Sequence, residues 1–205
     1  ITSYGLEMRK EMLYGCLLKV FKQDDVEIKA IYERNDVKAR EKEGLKLYKG
    51  FYGNHKLATT TIINENGLKL YVDIENGQKT GYFLDQKSNR LLLREMAYGK
   101  KVCDCFSHTG GFALNAALGG ASEVTAVDVS KTALDEALEN AKLNHLEDRM
   151  KFVQADVFDF LDTIKENQYD IIVLDPPAFT KNRRTIDHAY KGYLEINKKA
   201  MNVLR

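Results

Sequence analysis

An α/β fold is what this 205-residue sequence predicts: a parallel sheet in the larger part of the chain, preceded by a small α+β domain. Two observations predict it. From about residue 77 onward, short β-rich runs alternate with helical stretches, the pattern of βαβ units feeding a parallel sheet. Before that point, two β-prone runs flank Asn66-Gly67, a hairpin signal, downstream of one amphipathic helical stretch. The expected division is residues 1–76 and 77–205.

The elements follow in order. Apolar residues at Leu6, Leu13, Leu17, Leu18 and Phe21 predict a helix from about Ser3 to Lys22. Ile28, Ala30 and Tyr32 alternate with Glu27, Lys29 and Glu33, which predicts a strand with its apolar residues inward. The charged stretch from Arg34 to Lys49 shows little periodicity and predicts solvated surface. Thr60–Ile63 and Leu68–Val72 form the hairpin arms. In the second part the strands are Lys101–Phe106, Glu123–Val129, Lys151–Ala155 and Asp170–Leu174. Helices are expected near Gly111–Leu118, Lys131–Asn144 and Val157–Lys165. Right-handed crossovers place all four strand C-termini on one edge, where open α/β sheets bind ligands.

Composition bounds the function. Lys and Arg number 31 against 30 Asp and Glu, so the chain is nearly neutral and does not read as a basic coat for nucleic acid. A hydrophobic fraction of 44% fills a core, and a charged fraction of 30% describes a globular protein in water. No apolar run reaches the roughly 18 residues of a spanning helix. Arg9, Lys10 and Glu11 interrupt any signal-peptide reading. Cys16, Cys103 and Cys105 are few and odd in number, which fits a reducing cytoplasm. Cys103 and Cys105 share one strand face as buried thiols, and no metal-ligand spacing is present. The chain starts at Ile1 and stops at Leu204-Arg205 inside a helical pattern, so both ends are expected to be cut points.

Each strand end on the predicted edge carries a polar group. The first runs Asp104-Cys105-Phe106-Ser107-His108-Thr109-Gly110-Gly111, a tight turn that lets a ligand approach backbone N–H groups at a helix start. It is neither a pyrophosphate-binding loop nor a P-loop. The second ends in Asp128, placed about 20 residues on, where a carboxylate suits a pair of ribose hydroxyls. The third ends in Asp156 and the fourth in Asp175-Pro176-Pro177. A lone Asp at a strand end also serves as a helix cap. The ordered conjunction is what favours a site.

These motifs resemble the class I S-adenosylmethionine-dependent methyltransferases. Asp104-x-Phe106-Ser107-x-Thr109-Gly110-Gly111-Phe112, Val127-Asp128-x-Ser130 and Asp175-Pro176-Pro177-x-Phe179 resemble the RlmI-like rRNA cytosine-5 methyltransferases of bacteria. So do Gly77–Gln86 with Asn89-Arg90, and Gly192-Tyr193 with Ile196-Asn197. The resemblance implies a Rossmann-like domain truncated after its fourth strand, S-adenosylmethionine as cofactor, and 23S rRNA as partner in a homodimer. It implies that Asp104, Phe106, Ser107, Thr109, Gly110 and Gly111 hold the methionine moiety. Asp128 and Val129 would take the ribose, and Asp156 and Val157 the adenine. Lys79, Thr80 and Gly81 would line the methionine end or the target pocket. Asp175 would act catalytically at the target base, beside the cofactor. Pro176, Pro177, Phe179, Lys181, Arg183 and Arg184 would contact RNA. A thiolate adding to C6 is needed to activate cytosine C5, and the resemblance places that Cys beyond Arg205. The alternatives are an N-methyltransferase using Asp175-Pro176-Pro177, a dinucleotide-dependent oxidoreductase and a non-catalytic RNA-binding module.

Overall fold

The computed structural model describes residues 1–78, 81–180 and 186–205. The chain divides into two units, one of residues 1–61 and 72–83, the other of 62–71 and 84–205.

In the first unit, helices α1 (Tyr4–Glu7) and α2 (Lys10–Gln23) replace the single expected helix. The break comes at Arg9, whose backbone leaves helical geometry (φ −109°, ψ 13°) and whose guanidinium turns back to the Gly5 carbonyl. Strand β1 (Tyr32–Asn35) pairs antiparallel with β2 (Tyr48–Phe51), with the short helix α3 (Ala39–Lys42) between them. This corrects two sequence expectations. The strand begins where Ile28–Tyr32 was expected to end, and the charged stretch carries a helix and a strand. The reason is that the inward residues of β1 are Glu33 and Asn35, both buried. Polar side chains on an inward face invert the usual alternation signal.

Strands β3 (Thr60–Glu65) and β4 (Leu68–Asp73) form the expected hairpin. Asn66 (φ 51°) and Gly67 (φ 85°) both take left-handed backbone, as a two-residue type I′ turn requires. Leu68, Leu70 and Val72 alternate into the interior.

The second unit is built on a four-stranded sheet of β5 (Lys101–Cys105), β6 (Glu123–Asp128), β7 (Met150–Gln154) and β8 (Ile171–Leu174), all parallel, in the order β7-β6-β5-β8. Helices α5 (Gly111–Leu118), α6 (Lys131–Leu143) and α7 (Val157–Thr163) fall where the sequence places them. Two further helices, α4 (Lys87–Met96) and α8 (Ile186–Val203), complete the unit. The last residues do not lie inside a helix as expected. Helix α8 ends at Val203, and Leu204 forms a parallel bridge with Tyr169.

Strand alternation sets the layers. Cys103, Cys105 and Val127 face a core closed by Val157 and Leu161 of α7 and Ile196, Ala200 and Val203 of α8. Asp104 faces the other way, toward α5. Each fully buried aliphatic side chain here contributes roughly 1.5–3 kcal/mol. The strand order reverses between β5 and β8, and a crevice opens at the C-terminal ends of strands at such a reversal. Among the described residues, no helix is long and apolar enough to cross a membrane.

Candidate functional site

The edge of the second unit collects the four predicted strand ends. β5 stops at Cys105 because Phe106 turns into left-handed backbone (φ 61°), followed by His108 (φ 50°) and Gly110 (φ 80°). Left-handed backbone at two non-glycine residues within three positions stores strain of the kind that clusters at functional loops. Gly110 is favoured twice over. Its left-handed φ disfavours a side chain, and a Cβ there would stand 3.0 Å from the Ala137 Cβ on α6. Ser107 N–H donates to the Val127 carbonyl (3.0 Å) and His108 N–H to Asp128 Oδ2 (2.9 Å), so the loop is fastened to the end of β6.

Asp104 is fully buried, and its Oδ2 accepts from Ala113 N–H in the first turn of α5 (2.9 Å). Burial pushes its carboxyl up to about 7 against the help of that N–H, and the negative charges of Asp175 and Asp128 push the same way. Asp104 therefore senses two further carboxylates on this edge. Asp128 is half-buried at the end of β6, its second oxygen accepting from Ser130 N–H (2.9 Å). Each oxygen keeps a lone pair for a further donor. Val129 beside it is exposed. Asp156 caps α7 through Phe158 N–H (2.8 Å), so the capping role is real, and its Oδ2 has no partner among the described residues. Val157 is buried in the core.

Asp175 stands exposed at the end of β8, its Oδ2 accepting from Gln86 Nε2 (3.3 Å). Pro176 and Pro177 follow it. Phe179 packs between Phe158 (5.9 Å) and Tyr193 (4.5 Å), partly buried against the core. Gly81 belongs to the first unit. Its φ of 98° and the close approach of Val72 and Asp73 leave no room for a side chain. Lys79, Thr80, Lys181, Arg183 and Arg184 lie outside the described residues.

The sequence reading missed Gln86 as a site residue, although it lies in the string that carried the resemblance. The missed signal was Asn89 three residues on, which pairs with it (2.7 Å). Ser130 is likewise the cap of α6, accepting from Ala133 N–H (3.3 Å). Neither buried cysteine is a nucleophile in this setting. The Cys103 and Cys105 sulfurs lie 3.6 Å apart, and their hydrogen bond together with burial raises the Cys103 thiol far above its ordinary range. Burial lowers the pKa of His108, against the charges of Asp128 and Glu136, which raise it.

The donor set fits one class of ligand. The Ser107 hydroxyl is buried and has no partner among the described residues, the mark of an acceptor or donor awaiting a ligand. Surrounding carboxylates welcome hydroxyl and amine donors and a cationic centre, and repel a pyrophosphate. S-adenosylmethionine has ribose hydroxyls, an adenine amine, an ammonium and a sulfonium, and so fits this set.

Comparison with known proteins agrees. A family profile described as S-adenosylmethionine-dependent methyltransferase matches residues 50–201. A protein of Escherichia coli O139:H28 named ribosomal RNA large subunit methyltransferase I is 41% identical, over all of this chain and 51% of its own length. The chain thus spans about half the length of the curated relatives it matches. A Streptococcus mutans protein assigned as a SAM-dependent methyltransferase superposes with TM-score 0.77 at 26% identity, covering 98% of this chain and 50% of that one. SMU.776, assigned as a methyltransferase and solved with SAH, gives 0.76 at 26% identity over 97% of this chain and 50% of that one.

Proposed function

The chain belongs to the S-adenosylmethionine-dependent methyltransferase family, and from that premise we propose that it carries the cofactor site of an enzyme methylating a base of large-subunit rRNA, with C5 of a 23S cytosine as the position. The observation that carries the cofactor half is the carboxylate edge with its unpartnered Ser107 hydroxyl. The printed name of the 41%-identical relative supports the rRNA half.

When bound, S-adenosylmethionine supplies an electrophilic methyl on a sulfonium. The residues of the chain would do the rest. The Phe106–Gly111 turn and Asp104 would seat the methionine end. Asp128, already fixed by His108 and Ser130 N–H, would take the ribose hydroxyls. Asp156 Oδ2 would accept from the adenine amine. Asp175 would face the acceptor base, with Pro176 and Pro177 stiffening the chain that follows it. Alignment of acceptor and methyl supplies much of the rate of such a displacement. A thiolate for C5 chemistry is proposed to come from outside these 205 residues, since Cys103 and Cys105 are buried thiols and Cys16 lies on α2. The domain line at 76/77 and the homodimer belong to the same proposal.

The test is methylation of bacterial large-subunit rRNA by the full-length polypeptide, with the product nucleoside identified by mass spectrometry. 5-Methylcytidine is expected. An N-methylated base would overturn the C5 assignment, and no transfer by a cofactor-binding protein would overturn the rRNA assignment.

A further inference from the structure

The acid at the end of β8 is held by a side-chain relay from the start of α4. Gln86 closes a 3₁₀ turn (Leu84–Gln86) and directly precedes α4. Its Oε1 accepts from Asn89 Nδ2 at 2.7 Å, and its Nε2 donates to Asp175 Oδ2 at 3.3 Å. A carboxylate only accepts, so the Asp175 contact fixes which end of Gln86 is nitrogen, and the Gln86 oxygen then takes the Asn89 NH₂, which holds the amide in place. The relay stands on an anchored helix. Arg90, one residue past Asn89, is buried and forks onto both oxygens of Glu65 at 2.7 Å each. One turn later Arg94 donates to Asn115 Oδ1 and to the Asn66 carbonyl. Asp175 Oδ1, by contrast, has no partner among the described residues.

We propose that Gln86, oriented by Asn89, is a positioning residue that occupies Oδ2 of Asp175 and so presents Oδ1 to an N–H group of the acceptor base. This rests on the reading of Asp175 as the base-facing acid. A free carboxylate on a strand end swings through two equivalent faces. Tying one oxygen fixes the plane of the carboxylate and leaves Oδ1 as its less occupied acceptor in a defined direction, and a shift of about 1 Å in such a contact costs on the order of a hundredfold in rate. The relay also defines the ligand class at Oδ1 as a hydrogen-bond donor, such as a ring N–H or exocyclic amine, and disfavours a carbonyl there.

The experiment uses the full-length polypeptide with Gln86→Leu, Asn89→Ala, Asp175→Asn and the Gln86→Leu/Asp175→Asn double variant. Without cofactor or RNA, the side-chain amide resonances of Gln86 are expected to move in Asp175→Asn and in Asn89→Ala. In steady state, Gln86→Leu is expected to lower kcat roughly ten- to hundredfold, with the KM for S-adenosylmethionine within about twofold of wild type. Asn89→Ala is expected to fall between, and Gln86→Leu to cost nothing more once Asp175 is Asn. An unmoved Gln86 amide in Asp175→Asn would overturn the proposal, as would an equal loss from Gln86→Leu in both backgrounds. A fully active Asp175→Asn would instead overturn the reading of Asp175 itself, and the relay's function with it.

Discussion

Glu33 in the first unit and Asp104 in the second are both buried carboxylates, and their surroundings treat them in opposite ways. Glu33 Oε1 accepts from Tyr48 (2.8 Å), Tyr14 (3.0 Å) and Asn35 (3.1 Å), with the Lys10 ammonium at 3.4 Å. Burial alone would raise its pKa, but the two phenols and Lys10 more than reverse that and lower it. Asp104 has one backbone donor among the described residues and two other acids in electrostatic reach, and its pKa rises to about 7. A carboxylate that gathers three neutral donors and an ammonium is a structural joint. An undersaturated one among like charges is a site that gains by binding a cation or a donor.

Four variants would break or sharpen that contrast. Glu33→Ala removes the shared acceptor of three neutral donors and one partner of Lys10, which keeps Glu7 at 3.7 Å, and should cost about 3–5 kcal/mol in urea unfolding, at about 1–3 kcal/mol for each donor left unsatisfied. A cost below about 1 kcal/mol would remove its standing as a joint. Asp104→Asn works in the other direction. A raised folded pKa means that the stabilising contribution of the neutral acid is complete below the unfolded value near 4 and is lost as pH climbs through about 7. Relative to the wild type, Asp104→Asn should therefore gain stability between pH 5 and 8, by up to roughly 4 kcal/mol. Glu33, with a lowered pKa, loses its contribution on acidification instead, so the two residues should give opposite pH slopes. Third, Asp128→Asn should weaken S-adenosylmethionine binding by about 1.5–3 kcal/mol in a calorimetric titration, the range for hydrogen bonds to a charged group. Fourth, Ser107→Ala should leave the ligand-free protein as stable or up to about 1 kcal/mol more stable, because the lost hydroxyl is buried and unpartnered. The same change should lower cofactor affinity by about 1 kcal/mol, measured in the same titration.

The same contrast explains what could be read from the sequence. The sheet of the second unit was legible because its strands are largely apolar, its helices periodic and its site acids at or next to the strand C-termini. Asp104, Asp128, Asp156 and Asp175 all sit where that pattern places them, on one edge. The first unit was not, because β1 turns Glu33 and Asn35 inward and pairs across a charged stretch with β2. Polar joints have no hydrophobic period to detect. Within the site, the nearby Asn89 marked Gln86 as a paired amide, but its role was not legible because Asp175 lies 89 residues away in sequence. Phe179, which the resemblance assigns to RNA contact, packs onto Phe158 and Tyr193.

Calorimetric titration with S-adenosylmethionine at pH 7, repeated in two buffers of different ionisation heat, tests the central claim most directly. The account predicts one site, release of a proton as Asp104 ionises beside the bound cation, weaker binding in Asp128→Asn, and no heat with NAD. Binding of NAD in place of S-adenosylmethionine, or S-adenosylmethionine binding indifferent to both Asp104→Asn and Asp128→Asn, would contradict it.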